Sequence, residues 1–296
     1  MSDDAARRTP KFPLRLDQMA KGPKTHLKTA VGVPVSKSVP VHKPVTPAPI
    51  TSRPLLRPQQ PLQHAASVAA RQHSPTGLGL DSAGVRQRMV ERLRAEGLQH
   101  EAVLAALGAV PRHQFVDPAL VTQAYEDTSL PIGHGQTISK PSVVARMVEL
   151  LMGGANAGAG KLRRVLEIGS GCGYQAAVLA QLARQVLSVE RVKPLHDKAR
   201  ELMAPLRLHN VRLVYGDGML GHPPNAPYDG IIAAAGGEAL PATWMEQLAV
   251  GGRIVAPVHD GNERQVLVVV DRTETGFERS VHQSVLFVPL RSGLIR

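Results

Sequence analysis

The chain has 296 residues, 43% hydrophobic and 3% aromatic, with one cysteine and a formal net charge of +11. A single cysteine, Cys172, excludes an internal disulfide and a cysteine-built metal cluster. The N-terminus lacks the unbroken apolar stretch of a secretory signal, and no apolar run approaches the ~18 residues of a membrane span. The expectation is a soluble, monomeric protein of a reducing compartment, the cytoplasm, with no membrane partner and no metal.

The charge is uneven. Residues 1–80 hold 12 Lys and Arg against 3 Asp, which is +9 of the total. The same stretch is dense in proline, as in Lys43-Pro44-Val45-Thr46-Pro47-Ala48-Pro49. Proline removes backbone donors and pushes the preceding residue to extended conformations, so residues 1–80 read as a disordered, Pro-rich basic arm. A basic arm suits nucleic acid or an acidic partner. The arm has no interleaved aromatics for stacking bases, so nucleic-acid binding is not the expected use. Met89 could also open a complete domain, which would make the arm an upstream extension.

An ordered domain is expected over residues 81–296. Val85, Met89, Val90, Leu93 and Leu98 fall at helical spacing, closed by Gly97, and a second helix covers about Glu101 to Leu107. Pro111 to Pro118 reads as a loop. Leu130 to Pro141 is too glycine-punctuated for a long regular element. Pro141 opens a helix with an apolar face at Val143, Val144, Met147, Val148 and Leu151, and Ser139 or its neighbour is the N-cap candidate. From Arg163 onward, strand and helix alternate. Strands are expected at Val165–Ile168, Val186–Glu190, Val211–Tyr215, Tyr228–Ala234 and Arg253–Val258. Closing strands are expected at Gln265–Asp271 and Ser284–Pro289. Helices are expected from Tyr174 through Ala183, from Pro194 to about Leu206, and around Trp244 and Leu248, ending at Gly251-Gly252. This alternation argues for an α/β fold, a doubly wound Rossmann-like sheet with helices on both faces and ligands at the strands' carboxyl ends.

The first of these strands stops at Gly169-Ser170-Gly171-Cys172-Gly173 and a helix follows at once. Three glycines permit positive φ and let a ligand approach the backbone. A dinucleotide fingerprint would place its third glycine at Tyr174. Glu190 ends the second strand, where an acid can hydrogen-bond ribose hydroxyls. Asp217 lies between glycines at the end of the third strand, placed to accept from an adenine amino group. Glu167 is a mid-strand acid that needs a partner, which a cationic ligand would supply. Three acids around a wide glycine loop suit S-adenosylmethionine better than a phosphate-rich dinucleotide.

Val165–Tyr174, Ser188-Val189-Glu190-Arg191 and Gly216-Asp217-Gly218 resemble the successive motifs of class I methyltransferases. Phe115-Val116, Ala124-Tyr125-Glu126-Asp127, Leu130–Pro141 and Phe287-Val288-Pro289-Leu290 are similar to one family among them, protein-L-isoaspartate (D-aspartate) O-methyltransferase. The resemblance runs from about Met89 to the C-terminus. It rests most on Pro131-Ile132-Gly133-x-Gly135-Gln136-Thr137-Ile138-Ser139-x-Pro141, which methyltransferases in general do not carry. It implies S-adenosyl-L-methionine as cofactor and isoaspartyl residues of damaged proteins as acceptors. It implies that Thr137, Ile138 and Ser139 close over the cofactor and substrate and contact the cofactor, with Ser139 as the catalytic residue. Cofactor contacts are implied from Glu167, Gly169, Ser170, Gly171, Glu190, Asp217 and Gly218. The stretch Ala233–Glu238 departs from the family pattern, which bears on acceptor contacts at that edge. Two other readings remain open: a class I methyltransferase acting on a small molecule or RNA, and a non-catalytic nucleic-acid-binding protein that uses the arm.

Overall fold

The computed structural model describes residues 83–158, 160–261 and 264–296, so the expected arm at 1–80 lies outside the described residues. Helix α1 (Ala83–Ala95) buries Met89, Val90 and Leu93, and α2 (Glu101–Ala109) buries Val103, Leu104, Ala106 and Leu107. This is the three- and four-residue recurrence of an apolar helical face. Gly97, at φ +100°, closes α1, and the Leu98 N–H returns to the Leu93 carbonyl at 3.1 Å. Met89 is buried in mid-helix, so a chain begun there would lack the first half of α1.

Leu130 to Ile138 forms a two-stranded hairpin, β1 (Leu130–Gly133) with β2 (Gln136–Ile138). Its tip is His134-Gly135, both at positive φ, as a type I′ turn demands. Helix α3 (Pro141–Met152) follows, with its proline in the first turn as expected.

The main sheet has seven strands: β3 (Leu162–Ile168), β4 (Ala183–Glu190), β5 (Val211–Tyr215), β6 (Tyr228–Ala233), β7 (Leu248–His259), β8 (Gln265–Arg272) and β9 (Phe277–Val285). Three helices alternate with them: α4 (Tyr174–Leu182), α5 (Lys193–Met203) and α6 (Ala242–Gln247). The sheet order is β5-β4-β3-β6-β7-β8-β9, parallel as far as β7 and antiparallel beyond it. The expected doubly wound α/β sheet is therefore present. Successive side chains of β3 go to opposite faces, Val165 into one core and Leu166 into the other. Both faces are covered, which is why the central strands are mostly apolar, with Glu167 and Ser188 as their buried polar positions.

Several boundaries differ from the expectation. The helix expected to run from Trp244 to Gly251-Gly252 ends at Gln247, because Leu248 pairs with Tyr228 of β6 and opens β7. The last strand is Phe277–Val285, not Ser284–Pro289. Its residues are mostly exposed and polar, so no alternation marked it, whereas the apolar run after it is coil tied to Gln265 and Gly236. The α-helix after β4 stops at Met203 and gives way to a 3-10 turn, Ala204–Leu206, around Pro205. The expected loop at Pro111–Pro118 contains a 3-10 turn, Arg112–Phe115.

The chain runs from β3 outward to β4 and β5, then returns to place β6 on the other side of β3. The carboxyl ends of β3 and β6 therefore flank a topological switch point, where open α/β sheets hold their ligands.

Candidate active site

A cleft opens at that switch point, of about 880 Å³ counting the solvent at its mouth. The glycine loop forms its floor. Gly169, Gly171 and Gly173 have φ of +88°, +55° and +92°, so each uses the freedom expected of it. Space at the loop is also tight. A Cβ on Gly173 would lie 2.6 Å from the Met203 sulfur, and one on Gly171 would lie 3.2 Å from Ile132 Cδ1 of the hairpin.

Glu190 lines the cleft and ties the loop to the end of β4. One carboxylate oxygen accepts from the Gly171 N–H at 2.9 Å and the other from the Val192 N–H at 2.9 Å. The loop N–H that a phosphate would need is thus already given to a carboxylate. Each Glu190 oxygen keeps a second lone pair for a ligand hydroxyl.

Glu167 is fully buried behind the loop and does not line the cleft. Ser188 donates to one of its oxygens, and Ser170 and Ser188 share a hydrogen bond of 2.5 Å. Its Oε1 has no partner among the described residues, nor does Gln175 Nε2 beside it. Burial pushes the Glu167 carboxyl up to about 8, and the hydrogen bond from Ser188 offsets only part of that. Without ligand, Glu167 holds its proton at neutral pH. The unfolded chain ionises near the ordinary carboxyl value of 4.5, so stability should fall as pH rises from about 4.5 through about 8. In Glu167→Gln that slope, on the order of a few kcal/mol, is expected to flatten. Denaturant unfolding at pH 5 and pH 8.5, without ligand, checks this, and parallel pH dependences would exclude it.

Asp217 is the N-cap of the 3-10 turn Gly218–Leu220, and its Oδ1 accepts from the Met219 N–H at 2.9 Å. Oδ2 accepts from the Gly293 N–H at 2.6 Å. Asp217 is outside the cleft lining, while its neighbour Gly218 is in it. A Cβ on Gly218 would lie 2.5 Å from Ile168 Cγ2, and Trp244 Nε1 holds the Gly218 carbonyl at 2.9 Å. The C-terminal residues complete this wall. Ile295 exchanges backbone hydrogen bonds with Arg191 and Lys193, and the Arg191 guanidinium donates to the Ser292 and Gly293 carbonyls.

The hairpin brings Thr137, Ile138 and Ser139 over the cleft, which all three line together with Gly169, Ser170, Gly171, Glu190 and Gly218. Thr137 and Ser139 also line a second groove alongside, bounded by Ser129, Lys140, Val143 and the coil from Ser284 to Val288. Of the two N-cap candidates, Ser139 and its neighbour, it is the neighbour that takes the position. The N-cap is Lys140, whose side chain makes no capping bond. The open turn is served instead by Asp127, which accepts from the Ser142 N–H at 2.9 Å and the Ser142 hydroxyl at 2.8 Å.

Arg112 was not singled out from the sequence, yet it holds this corner. It is fully buried, with Nε donating to the Ala124 carbonyl at 2.8 Å and a terminal nitrogen donating to the Ser139 carbonyl at 2.7 Å. Its guanidinium stacks 4.8 Å from the Tyr174 ring centroid. Burial lowers its pKa from the usual arginine value. A fixed cation thus links the loop before the hairpin, the active turn and the glycine-loop helix. The sequence signal for it is only an arginine in an apolar stretch, Pro111-Arg112-His113-Gln114-Phe115-Val116.

Residues 84–294 match the model of the protein-L-isoaspartate(D-aspartate) O-methyltransferase family. A protein-L-isoaspartate O-methyltransferase of Methylibium petroleiphilum is 59% identical over 97% of this chain and 97% of its own length. One from Leptothrix cholodnii is 61% identical over 80% of this chain and 84% of its own. A solved structure described as protein-L-isoaspartate O-methyltransferase aligns with a TM-score of 0.63 at 28% identity, over 71% of this chain and 67% of that one. Matched by the family model across most of its length, and by a curated relative almost end to end, this chain belongs to the protein-L-isoaspartate (D-aspartate) O-methyltransferase family.

Proposed function

We propose that this chain transfers the methyl group of S-adenosyl-L-methionine to the free carboxylate of L-isoaspartyl and D-aspartyl residues in damaged proteins, as a monomer in the cytoplasm. The observation that carries the reading is the position of Ser139, which faces both the glycine-loop cleft and the groove beside it. One residue thus addresses a donor on one side and an acceptor on the other.

The cleft fits the cofactor on three counts. Its glycine loop leaves room for a ligand against the backbone. Glu190 offers lone pairs to ribose hydroxyls. Thr137, Ile138 and Ser139 line the cleft as well and give it a cover. When bound, S-adenosyl-L-methionine supplies an electrophilic methyl group on a sulfonium.

The residues then have these roles. Glu190, Gly169, Ser170, Gly171 and Gly218 hold the nucleoside and amino-acid ends from the cleft walls. Glu167 and Asp217 act from behind, Glu167 through the Ser188 and Ser170 hydroxyls under the loop and Asp217 by ordering the turn that carries Gly218. Thr137 and Ile138 cover the site and keep water out. The acceptor carboxylate is already ionised at neutral pH, so no general base is required. The Ser139 hydroxyl donates to one acceptor oxygen and leaves the other free to react, which reduces catalysis to positioning. His134 sits at the exposed hairpin tip and is given no role. The methyl ester then closes to a succinimide by attack of the neighbouring backbone nitrogen, releasing methanol. Hydrolysis returns part of the product as normal aspartate.

The test is labelled methyl transfer to an isoaspartyl peptide against its normal aspartyl twin, with the product lost in mild base. Transfer no greater than to the twin removes this function. Ser139→Ala is expected to lower kcat about 10²-fold. Cofactor affinity and thermal midpoint should stay near wild type, because Ser139 contributes no side-chain cap. Wild-type turnover in that variant would take Ser139 out of the mechanism.

A further inference from the structure

The groove beside the cofactor cleft is where an acceptor chain reaching Ser139 must lie, if the function proposed above holds. Ser129, Val143 and Ser284–Val288 make its walls neutral, and Lys140 is the one charged residue among those that line it. Lys140 directly follows Ser139, and Pro141 directly follows Lys140. A residue before proline is held out of the helical region, and Lys140 is at φ −52° and ψ 144°. Its side chain therefore leaves the backbone from a fixed direction at the helix start.

Lys140 is exposed and forms no ion pair among the described residues. The nearest acid in sequence, Glu149, is held by Arg146 and the Gln99 and His100 N–H groups, and Asp127 has both oxygens taken by Ser142. Ser129 and Ser284 face the groove from the neighbouring segments and carry no charge. An uncompensated cation thus stands one residue from the positioning hydroxyl of Ser139, in a groove that a bound chain would strip of water. A charge contact there gains strength as the dielectric falls.

Which charge it serves follows from the reaction. The acceptor carboxylate loses its charge on methylation. A lysine paired with it would stabilise the substrate more than the transition state and slow the step. A flanking carboxylate keeps its charge throughout, so pairing with it strengthens binding without that loss.

We propose that Lys140 reads the residue flanking the isoaspartyl site, so that this enzyme selects damaged segments with an adjacent Asp or Glu. This rests on the acceptor reading above. The test compares three isoaspartyl peptides, identical except for Glu, Gln or Lys at the flanking positions. It uses the wild-type protein, Lys140→Gln and Lys140→Glu. For wild type, KM for the Glu peptide is expected to be about 5-fold below that for the Gln peptide at low salt, narrowing at high salt. Lys140→Gln should bring that ratio to about one, and Lys140→Glu should turn the preference toward the Lys peptide. Because Lys140 is exposed, circular dichroism and the thermal midpoint should confirm that both variants are folded. Equal KM ratios in wild type and Lys140→Gln would overturn the role of Lys140 while leaving the function standing. Absence of transfer to all three peptides by wild type would overturn the function itself.

Discussion

Replacing Arg112 by leucine is expected to destabilise the protein by about 2–4 kcal/mol and to lower methyl transfer beyond the fraction unfolded. The guanidinium serves the Ala124 and Ser139 carbonyls, and its loss leaves two poorly solvated acceptors without donors. Each such orphan costs about 1–3 kcal/mol. Relief of the buried charge offsets part of this, which is why the total stays below the plain sum. The functional loss has a separate cause. The bond to the Ser139 carbonyl sets the backbone at Ser139, and if that residue positions the acceptor as proposed, a shift of ~1 Å there is costly in rate. Arg112→Lys keeps the charge but not the planar fork that reaches both carbonyls, so it should fall between leucine and wild type. Denaturant unfolding, with kcat measured well inside the folded plateau, separates the two effects. Wild-type stability in Arg112→Leu would show that the two carbonyls find other donors.

Glu190→Ala is expected to weaken cofactor binding about 10²-fold. This carboxylate performs two tasks at once. It holds the Gly171 and Val192 N–H groups, each at 2.9 Å, and it faces the cleft where ribose hydroxyls would lie. Hydrogen bonds to charged groups contribute about 1.5–3 kcal/mol each, so even one lost ligand bond accounts for the expected change. The loop is a second source of loss, because Gly171 would no longer be tied to β4. Glu190→Gln retains one acceptor and turns an amide toward the other N–H, so it should bind between the two. Titration calorimetry with S-adenosyl-L-homocysteine measures this. Affinity within about 3-fold of wild type in Glu190→Ala would remove Glu190 from the cofactor site.

The parts of the molecule that the sequence by itself determined are those decided by backbone geometry within a few residues. Gly169, Gly171 and Gly173 all adopt positive φ, and only glycine does so without strain, so the loop could be read directly. The strands before it are buried on both faces, which requires mostly apolar runs such as Val165–Ile168. Proline at 141 marked the start of α3 for the same local reason. These three features placed the fold, the cleft and the turn that carries Ser139.

What only the tertiary structure decided were contacts between residues far apart in the chain, which leave no period to detect. Arg112 reaches Ser139 across 27 positions, Asp127 caps α3 across 15, and Gly293 occupies Asp217 across 76. Nothing in Gly216-Asp217-Gly218 shows that the C-terminus arrives there to give Asp217 the Gly293 N–H, and β-strand alternation alone does not reveal that Ser188 lies against Glu167. The strand β9 was missed because most of its positions are exposed, and without a buried face a strand has no alternation to show. In each case the deciding quantity was burial or a long-range partner, and both exist only once the sheet has closed.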